Sequence, residues 1–279
     1  MYTRRAPIAG LLPVLVLLIA ALALAGCVGG NITAEETVTQ SFQTGAAPRI
    51  VVETFNGEIE VSAGSSGAVE VVAVKRGAGF SRAEAEDDLQ NVEVSMTQSG
   101  DTIRIVARRT DGAFAIGNSG ASIRLSVPAS ASLELTSSNG GLTSSSVSGD
   151  VRMDTSNGRI EVRDGAGRID VETSNGAIDI EAAGAVVDAG TSNGRITFSG
   201  SLAEGSQTFR TSNGAIEITL PADARFRIDA STSNGRVSSD FAVAGEADDE
   251  SLHGVVGENP AVSINASSSN GDIRIQKGR

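Results

Sequence analysis

The sequence is poor in the residues that most often carry chemistry. Its 279 residues include one cysteine, one histidine, one tyrosine and no tryptophan. A single cysteine excludes an intramolecular disulfide, and the same counts exclude a zinc site of the Cys/His type. A histidine-dependent triad would need His253, which lies in a glycine-rich segment without a nucleophile-elbow motif, so we predict an exposed loop residue. We therefore predict a non-enzymatic protein with no catalytic residue, no metal site and no cofactor.

Aromatic and basic residues are also scarce. Aromatic residues make up 3% of the chain, which argues against a broad aromatic platform for sugars, since binding surfaces are enriched in Tyr and Trp. The formal net charge is −12, and lysine occurs twice, at Lys75 and Lys277. This charge argues against nucleic acid and anionic lipid as partners. An acidic, lysine-poor surface fits either a high-salt environment or a GC-rich genome, and the sequence does not separate the two.

One long apolar run stands at the N-terminus. Arg4 and Arg5 precede an apolar run from Ile8 to Ala25, and small residues follow, which is the pattern of a secretory signal. The segment Leu24-Ala25-Gly26-Cys27 resembles the lipobox of prokaryotic lipoproteins, which implies cleavage before Cys27 and a lipid on its sulfur. An uncleaved membrane anchor is the alternative. Either reading places the remaining chain outside the cytoplasm, with Sec and twin-arginine export both open.

Glycine is abundant, with 33 residues, and much of it belongs to a repeat. The string Thr-Ser-Asn-Gly occurs at 155–158, 173–176, 191–194 and 211–214, so the spacings are 18, 18 and 20 residues. Each period holds two short segments in which apolar and polar residues alternate, as in strands with one buried face. A regular period of this length indicates stacked structural units.

Two architectures fit this repeat. Asn-Gly between alternating strands also predicts hairpins, which would give an antiparallel meander. The constant period favours a β-solenoid, in which each repeat forms one coil and lies over its neighbour. We predict an all-β protein with a single elongated solenoid over 49–279, with coils of about 18 residues and a length of about 40–50 Å. One short helix is expected at 82–90, because Ser81 and Glu84 form a capping-box pattern.

The solenoid prediction assigns definite roles along the chain. Residues 1–26 are the signal, 27–48 a tether with room for one strand near 37–42, and Ile178 a core residue. Asn-Gly is expected to turn the chain because both residues tolerate positive φ, and stacked asparagines can hydrogen-bond as a ladder. The predicted turn asparagines are Asn56, Asn139, Asn157, Asn175, Asn193, Asn213, Asn234 and Asn270. The last two are 36 residues apart, so a degenerate coil is expected over 241–257.

Acidic residues offer few candidate sites. Asp170 and Asp188 are expected on adjacent coils, where paired acids would suit a carbohydrate-active enzyme. Such pairs also arise by chance when polar positions alternate along strands. The segment Asp248-Asp249-Glu250 offers oxygen ligands for calcium, but a solvated acidic loop is the simpler interpretation.

A family resemblance rests on three blocks of the sequence. They are Val127-Pro128 followed by Leu133–Gly140, Leu220–Ala224 followed by Thr232–Gly235, and Ser269–Ile275. Together with the repeats they make residues 49–279 resemble the DUF4097 family. The resemblance implies a β-solenoid on the prokaryotic cell surface, often lipid- or membrane-anchored, with an adhesin role attached by inference. It implies no catalytic residues.

The resulting functional expectation is a monomeric surface protein attached to the membrane through a lipid on Cys27. Its leading role is binding, adhesion or surface display, with a surface glycan or an envelope protein as partner. A structural or regulatory envelope protein that partners a membrane sensor is the second hypothesis. A carbohydrate-active enzyme using Asp170 is the third.

Overall fold

The computed structural model describes residues 32–64, 67–111 and 119–278. Over these residues the chain is all-β with one short helix, as predicted. The strands are β1 Ile32–Gln43, β2 Arg49–Thr54, β3 Ile59–Ala63, β4 Ala68–Gly79, β5 Val92–Ser99, β6 Thr102–Arg109, β7 Gly120–Val127, β8 Ser132–Asn139, β9 Leu142–Ser145, β10 Val151–Asn157, β11 Ile160–Gly165, β12 Arg168–Asn175, β13 Ile178–Asn193, β14 Ile196–Leu202, β15 Gly205–Asn213, β16 Ile216–Leu220, β17 Phe226–Asn234, β18 Val237–Ser239, β19 Ala244–Ala247, β20 Ser251–Val256, β21 Val262–Asn270 and β22 Ile273–Lys277. The helix α1 covers Arg82–Gln90.

The strands form two sheets that share the long strand β13. Sheet A runs in the order β1-β4-β7-β3-β9-β11-β13-β14-β16-β22-β18. Sheet B runs β5-β6-β2-β8-β10-β12-β13-β15-β21-β17-β20-β19. Each Asn-Gly pair lies where the chain leaves sheet B and enters sheet A. The N-terminal half of β13 belongs to sheet A and its C-terminal half to sheet B.

Neighbouring repeats pair in parallel. Thr155 lies beside Thr173 and Asn157 beside Asn175, a register of 18 residues. The pairing of β12 with β13 keeps this 18-residue register. The pairing of β13 with β15 lengthens it to 20 residues, with Asn193 beside Asn213. The Thr-Ser-Asn-Gly strings therefore do not form the antiparallel hairpins that Asn-Gly also predicted.

The core lies between the two sheets and is built by alternation. In β10 and β11 the inward residues Val151, Met153, Ile160 and Val162 are at most 1% exposed, whereas Arg152 and Asp154 face solvent. Ile178 is fully buried, as predicted. Phe198 and Phe209 meet across the interior with ring centroids 5.8 Å apart, so large aromatic residues fill the middle of the stack.

Both ends of the stack depart from chain order, which corrects the expected uniform solenoid. β21 pairs with both β15 and β17, so Asn270 lies between Asn213 and Asn234. The expected coil over 241–257 is absent, and β19 and β20 form an antiparallel pair along β17. The spacing of 36 residues between Asn234 and Asn270 identifies the two as equivalent positions. It does not determine between which strands β21 inserts. At the other end, β2 lies between β6 and β8 in sheet B, and β3 lies between β7 and β9 in sheet A.

The segment expected as a tether contains a full strand. β1 covers Ile32–Gln43 and pairs antiparallel with β4 along its whole length. The strand expected near 37–42 is therefore present but begins earlier, at Ile32, and the polar composition hid that first part because only Ala34 and Phe42 are buried. Ion pairs from Arg76 to Glu35 and from Lys75 to Glu36, both 2.8 Å, hold the two strands side by side.

The helix lies against the β1–β4 pair and starts as predicted. Ser81 Oγ accepts a hydrogen bond from the Glu84 N–H, and the Phe80 N–H donates to the Glu84 carboxylate. Gly77 allows the close approach, since a Cβ there would lie 2.3 Å from the carbonyl oxygen of Ala85. Ala85 and Leu89 are buried under the helix.

Candidate functional site

The Thr-Ser-Asn-Gly repeat forms one corner of the stacked strands, and each of its four residues has a different environment. The threonine is buried, and its hydroxyl donates to the carbonyl of the glycine of the preceding repeat: Thr173 to Gly158 at 3.1 Å, and Thr191 to Gly176 at 3.1 Å. The serine and the asparagine that follow are exposed. The hydroxyl thus satisfies a corner carbonyl that β-ladder hydrogen bonds do not reach.

The asparagine side chains form a one-way ladder along this corner. The side-chain N–H of Asn175 donates to the amide oxygen of Asn157 at 3.0 Å, and Asn193 donates to Asn175 in the same way. Seven of the eight predicted asparagines take part, in the order Asn139, Asn157, Asn175, Asn193, Asn213, Asn270, Asn234. Asn56 is next to Asn139, but its amide donates to the Ser119 carbonyl instead.

Close packing explains the glycines of the corner, and a positive φ is a second reason for glycine at Gly57, Gly140, Gly214 and Gly271. A Cβ on Gly176 would lie 1.9 Å from the carbonyl oxygen of Gly158, and one on Gly194 would lie 1.8 Å from that of Gly176. Neither glycine has a left-handed φ, and neither do the repeat asparagines. The opposite corner also uses positive φ, at Asp164, Gly167 and Gly184. The Asn-Gly corner is therefore a column of touching backbones.

The outer face of sheet B carries three columns of side chains. The charge column is Glu134, Arg152, Asp170, Asp188, Thr208, Asn265 and Asp229, and it places Asp170 beside Asp188 as predicted. The middle column is Thr136, Asp154, Glu172, Gly190, Arg210, Ser267 and Ser231. The serine column, next to the asparagine ladder, is Ser138, Ser156, Ser174, Ser192, Ser212, Ser269 and Ser233.

The middle column is interrupted at Gly190, and an open groove lies there. Its volume is about 430 Å³. Glu172 and Arg210 stand on the strands at either side of the glycine. Asp170 and Asp188 line one flank, and Ser174, Ser192, Ser212 and Ser269 line the other. We call this feature the Gly190 groove.

The acid pair considered as a catalytic candidate lies in the Gly190 groove, and arginines engage both of its members. Asp170 and Asp188 are register neighbours. Arg152 contacts Asp170 at 2.6 Å, and Arg210 contacts Asp188 at 3.1 Å. These exposed ion pairs contribute little stability, but they direct both carboxylates along the sheet surface.

Two other sequence candidates have structural roles. His253 lies on strand β20 and not in a loop, and its Nδ1 is 3.1 Å from a carboxylate oxygen of Asp229. Asp248 caps the β19–β20 turn by accepting hydrogen bonds from the N–H groups of Glu250 and Ser251. The Glu250 N–H contributes most to lowering the pKa of Asp248 below its ordinary value. The acidic segment is thus organised around its own turn.

A buried polar cluster, unforeseen from the sequence, joins the helix to the sheets. Arg109 contacts Asp88 at 2.8 Å and Asp111 at 2.6 Å, and the Arg109 and Asp88 side chains are 8% and 9% exposed. Arg109 also donates to the Ser119 hydroxyl at 2.9 Å, and the Ala78 N–H donates to Asp88 at 2.9 Å. Burial alone would raise the pKa of Asp88, but these hydrogen bonds lower it below its ordinary value. The hydrogen bond to Asp111 is the largest contribution to the raised pKa of Arg109.

Cys27, the predicted lipid-attachment residue, lies outside the described residues. Over residues 32–64, 67–111 and 119–278, no helix has the length and apolar character of a membrane span. The same residues contain no cluster of three or more His, Cys, Asp or Glu arranged to hold a metal ion.

The family follows from comparison with known proteins. The pattern of the Toastrack DUF4097 family matches residues 47–276. The chain therefore belongs to the DUF4097 family, as the sequence blocks indicated. Comparison with curated proteins gives no match.

Solved structures with a similar arrangement share little sequence with this chain. A putative cell adhesion protein from Clostridium sporogenes is 10% identical with a TM-score of 0.41, and the match covers 88% of this chain and 100% of that one. A putative adhesin from Parabacteroides distasonis is 12% identical with a TM-score of 0.42, covering 86% and 97%. A putative lipid binding protein from the same species is 11% identical with a TM-score of 0.35, covering 85% and 96%.

Proposed function

We propose that this protein is a lipid-anchored β-solenoid that displays a non-catalytic binding surface outside the cytoplasmic membrane. The observation that carries the proposal is the long parallel stack, whose outer sheet B face repeats one polar pattern over many strands. A rigid repeated face suits contact with an extended partner better than enclosure of a small substrate.

The direction of the chain supports attachment at one end of the stack. β1 begins at Ile32, five residues after Cys27, and that strand lies at the edge of sheet A. Five extended residues span at most about 18 Å, so a lipid on Cys27 would hold this end against the membrane.

An exposed aromatic residue stands at the same end. Phe80 is 82% exposed, and its neighbour Gly79 pairs with Ile32 at the start of β1. An exposed Phe side chain suits the interfacial region of a bilayer, where apolar rings are buried near the headgroups.

Lipid anchoring is tested by comparing the wild-type chain with Cys27→Ser in a host that processes lipoproteins. We expect labelled fatty acid on the wild-type protein, which should remain with the membrane after a high-salt wash, and no label on the variant. Equal labelling of both proteins would contradict anchoring at Cys27. Surface biotinylation of intact cells is the companion measurement, and a wild-type domain protected from the reagent would contradict external display.

The binding role is tested separately from the anchor. Purified protein is applied to a glycan array and used for pull-down from envelope extract. Retention of a glycan or of a defined external partner supports a binding or adhesion module. Recovery of a membrane sensor alone would favour the second hypothesis, a regulatory envelope protein. Polysaccharide cleavage that disappears in Asp170→Asn would favour the enzymatic alternative.

A further inference from the structure

Gly190 is a glycine that the backbone does not require. Its φ lies outside the left-handed region. A Cβ built there would meet only the Glu172 side chain, at 4.0 Å, which is ordinary van der Waals contact. The corner glycines Gly176 and Gly194 differ, because neighbouring carbonyl groups block any side chain at those positions.

A glycine in the middle of a strand weakens the sheet. It destabilises a strand relative to Ala, and such positions often mark places where a ligand or another backbone comes close. Among the described residues, no backbone other than that of its chain neighbours lies within 4 Å of the Cβ position of Gly190. The missing side chain instead forms the floor of the Gly190 groove, between the exposed side chains of Glu172 and Arg210.

The groove offers a mixed set of hydrogen-bonding groups. Glu172 forms no hydrogen bond or ion pair with any described residue, so both of its carboxylate oxygens face solvent. Among the described residues, the hydroxyls of Ser174, Ser192 and Ser212 also have no hydrogen-bond partner, although their backbone carbonyls accept from the asparagine ladder. Arg210 adds the donors that its single contact with Asp188 leaves free.

These groups match a chain of hydroxyl-bearing rings. Carboxylates accept from sugar hydroxyls, Arg donates to them, and serine hydroxyls do both. The groove crosses four strands, from β12 to β21, or about 14 Å at the strand spacing. Its three carboxylates outnumber its single guanidinium, which disfavours anionic ligands.

We propose that the Gly190 groove binds a short stretch of a neutral, hydroxyl-rich polysaccharide laid across the strands of sheet B. Glu172 and Asp170 accept hydrogen bonds from the sugar hydroxyls, Arg210 and the serine column complete the contact, and Gly190 leaves room for the ring. This proposal deepens the proposed binding function by naming its ligand class and its site.

The test uses full-length protein in detergent and affinity electrophoresis against two sets of soluble polysaccharides. The neutral set is dextran, laminarin, galactomannan and arabinan, and the anionic set is alginate and pectate. We expect retardation by at least one neutral polysaccharide and by neither anionic one. Gly190→Thr should weaken that binding at least tenfold, because its side chain fills the floor. Glu172→Gln should weaken it severalfold.

The matched control is Ser231→Thr, which places the same Thr side chain in the same column beyond the groove. It should bind like the wild type, and thermal melts should show all three variants folded. If Gly190→Thr and Glu172→Gln both bound the polysaccharide as strongly as the wild type, the groove would be overturned as the binding site, while a binding module would remain in place. Retardation by the anionic set alone, or by none of the polysaccharides, would overturn the ligand class. The Cys27 and envelope pull-down experiments judge the broader function independently.

Discussion

At the scale of single residues, the four positions of the Thr-Ser-Asn-Gly repeat differ in what their side chains contact. Threonine satisfies a corner carbonyl, asparagine extends the amide ladder, and glycine admits the neighbouring backbone. The serine side chain has no partner among the described residues. Three of the four positions therefore have structural explanations, and the serine position is the one left for contact with other molecules.

The close approach at the corner gives a matched pair of alanine substitutions. Gly176→Ala places a methyl group against the Gly158 carbonyl and should destabilise by ~1–3 kcal/mol, as overpacking does. Gly190→Ala enters open space and should be neutral or stabilise by about 0.5–1 kcal/mol. Equilibrium denaturation of both variants measures the difference. If the two alanines changed stability equally, the corner would not be close-packed.

The inward face has an equally direct test. Ile178 is fully buried, so Ile178→Ala should lower the free energy of unfolding by ~2–4 kcal/mol through lost burial and the cavity left behind. Asp154→Ala, on the solvent side of β10, serves as control and should change stability by less than about 0.5 kcal/mol. A loss below that figure for Ile178→Ala would mean that the residue faces solvent.

Among the elements, helix α1 shows best where sequence reasoning succeeds. The pattern from Ser81 to Glu84 is local, and it placed the helix at Arg82–Gln90, as observed. The glycine at 77 that admits the helix, and Arg109, which holds Asp88, lie on other elements. Contacts between distant segments leave no local pattern, so the polar cluster could not be predicted.

The Asp88 cluster predicts a specific acid sensitivity. The pKa of Asp88 is lowered in the folded protein, so its stabilising effect is complete above its unfolded pKa of about 3.9 and is lost as pH falls through the lower folded value. Asp88→Asn should reduce stability at pH 7 and flatten the decline of stability below pH 4. Chemical denaturation between pH 7 and pH 2.5 measures both effects. An unchanged acid slope in the variant would contradict the role of this carboxylate.

The strands divide into those that periodicity revealed and those that it missed. β10 to β14 repeat with an 18-residue register, and their buried positions follow from alternation. β1 is mostly polar and was expected only near 37–42, and β19 and β20 lie in an acidic, glycine-rich segment. Pairing partners, rather than hydrophobic pattern, make these segments strands, and partners are set by the whole fold.

At the scale of the whole molecule, the repeats predicted the parallel stacking but not the order of the stack. Matching residues identify equivalent positions, whereas the insertion of β21 between β15 and β17 depends on contacts between segments that are distant in the sequence. The Gly190 groove was missed for a related reason. The sequence does contain a signal, because glycine stands at 190 where the other repeats have Asp154, Glu172 and Arg210. Its meaning appears only when those positions form one column.

The order of the stack sets which serines are neighbours, and the sheet B face proposed for binding depends on it. Paired cysteines test this order most directly, in a Cys27→Ser background that leaves only the introduced thiols. Ser212 and Ser269 are on adjacent strands, about 4.8 Å apart at the strand spacing, which is within the range of a disulfide. Ser212 and Ser233 are two strands apart, near 10 Å, which is too far. The account predicts a disulfide in Ser212→Cys/Ser269→Cys and none in Ser212→Cys/Ser233→Cys under mild oxidation, read by mass spectrometry. A disulfide in the second pair and not in the first would contradict it.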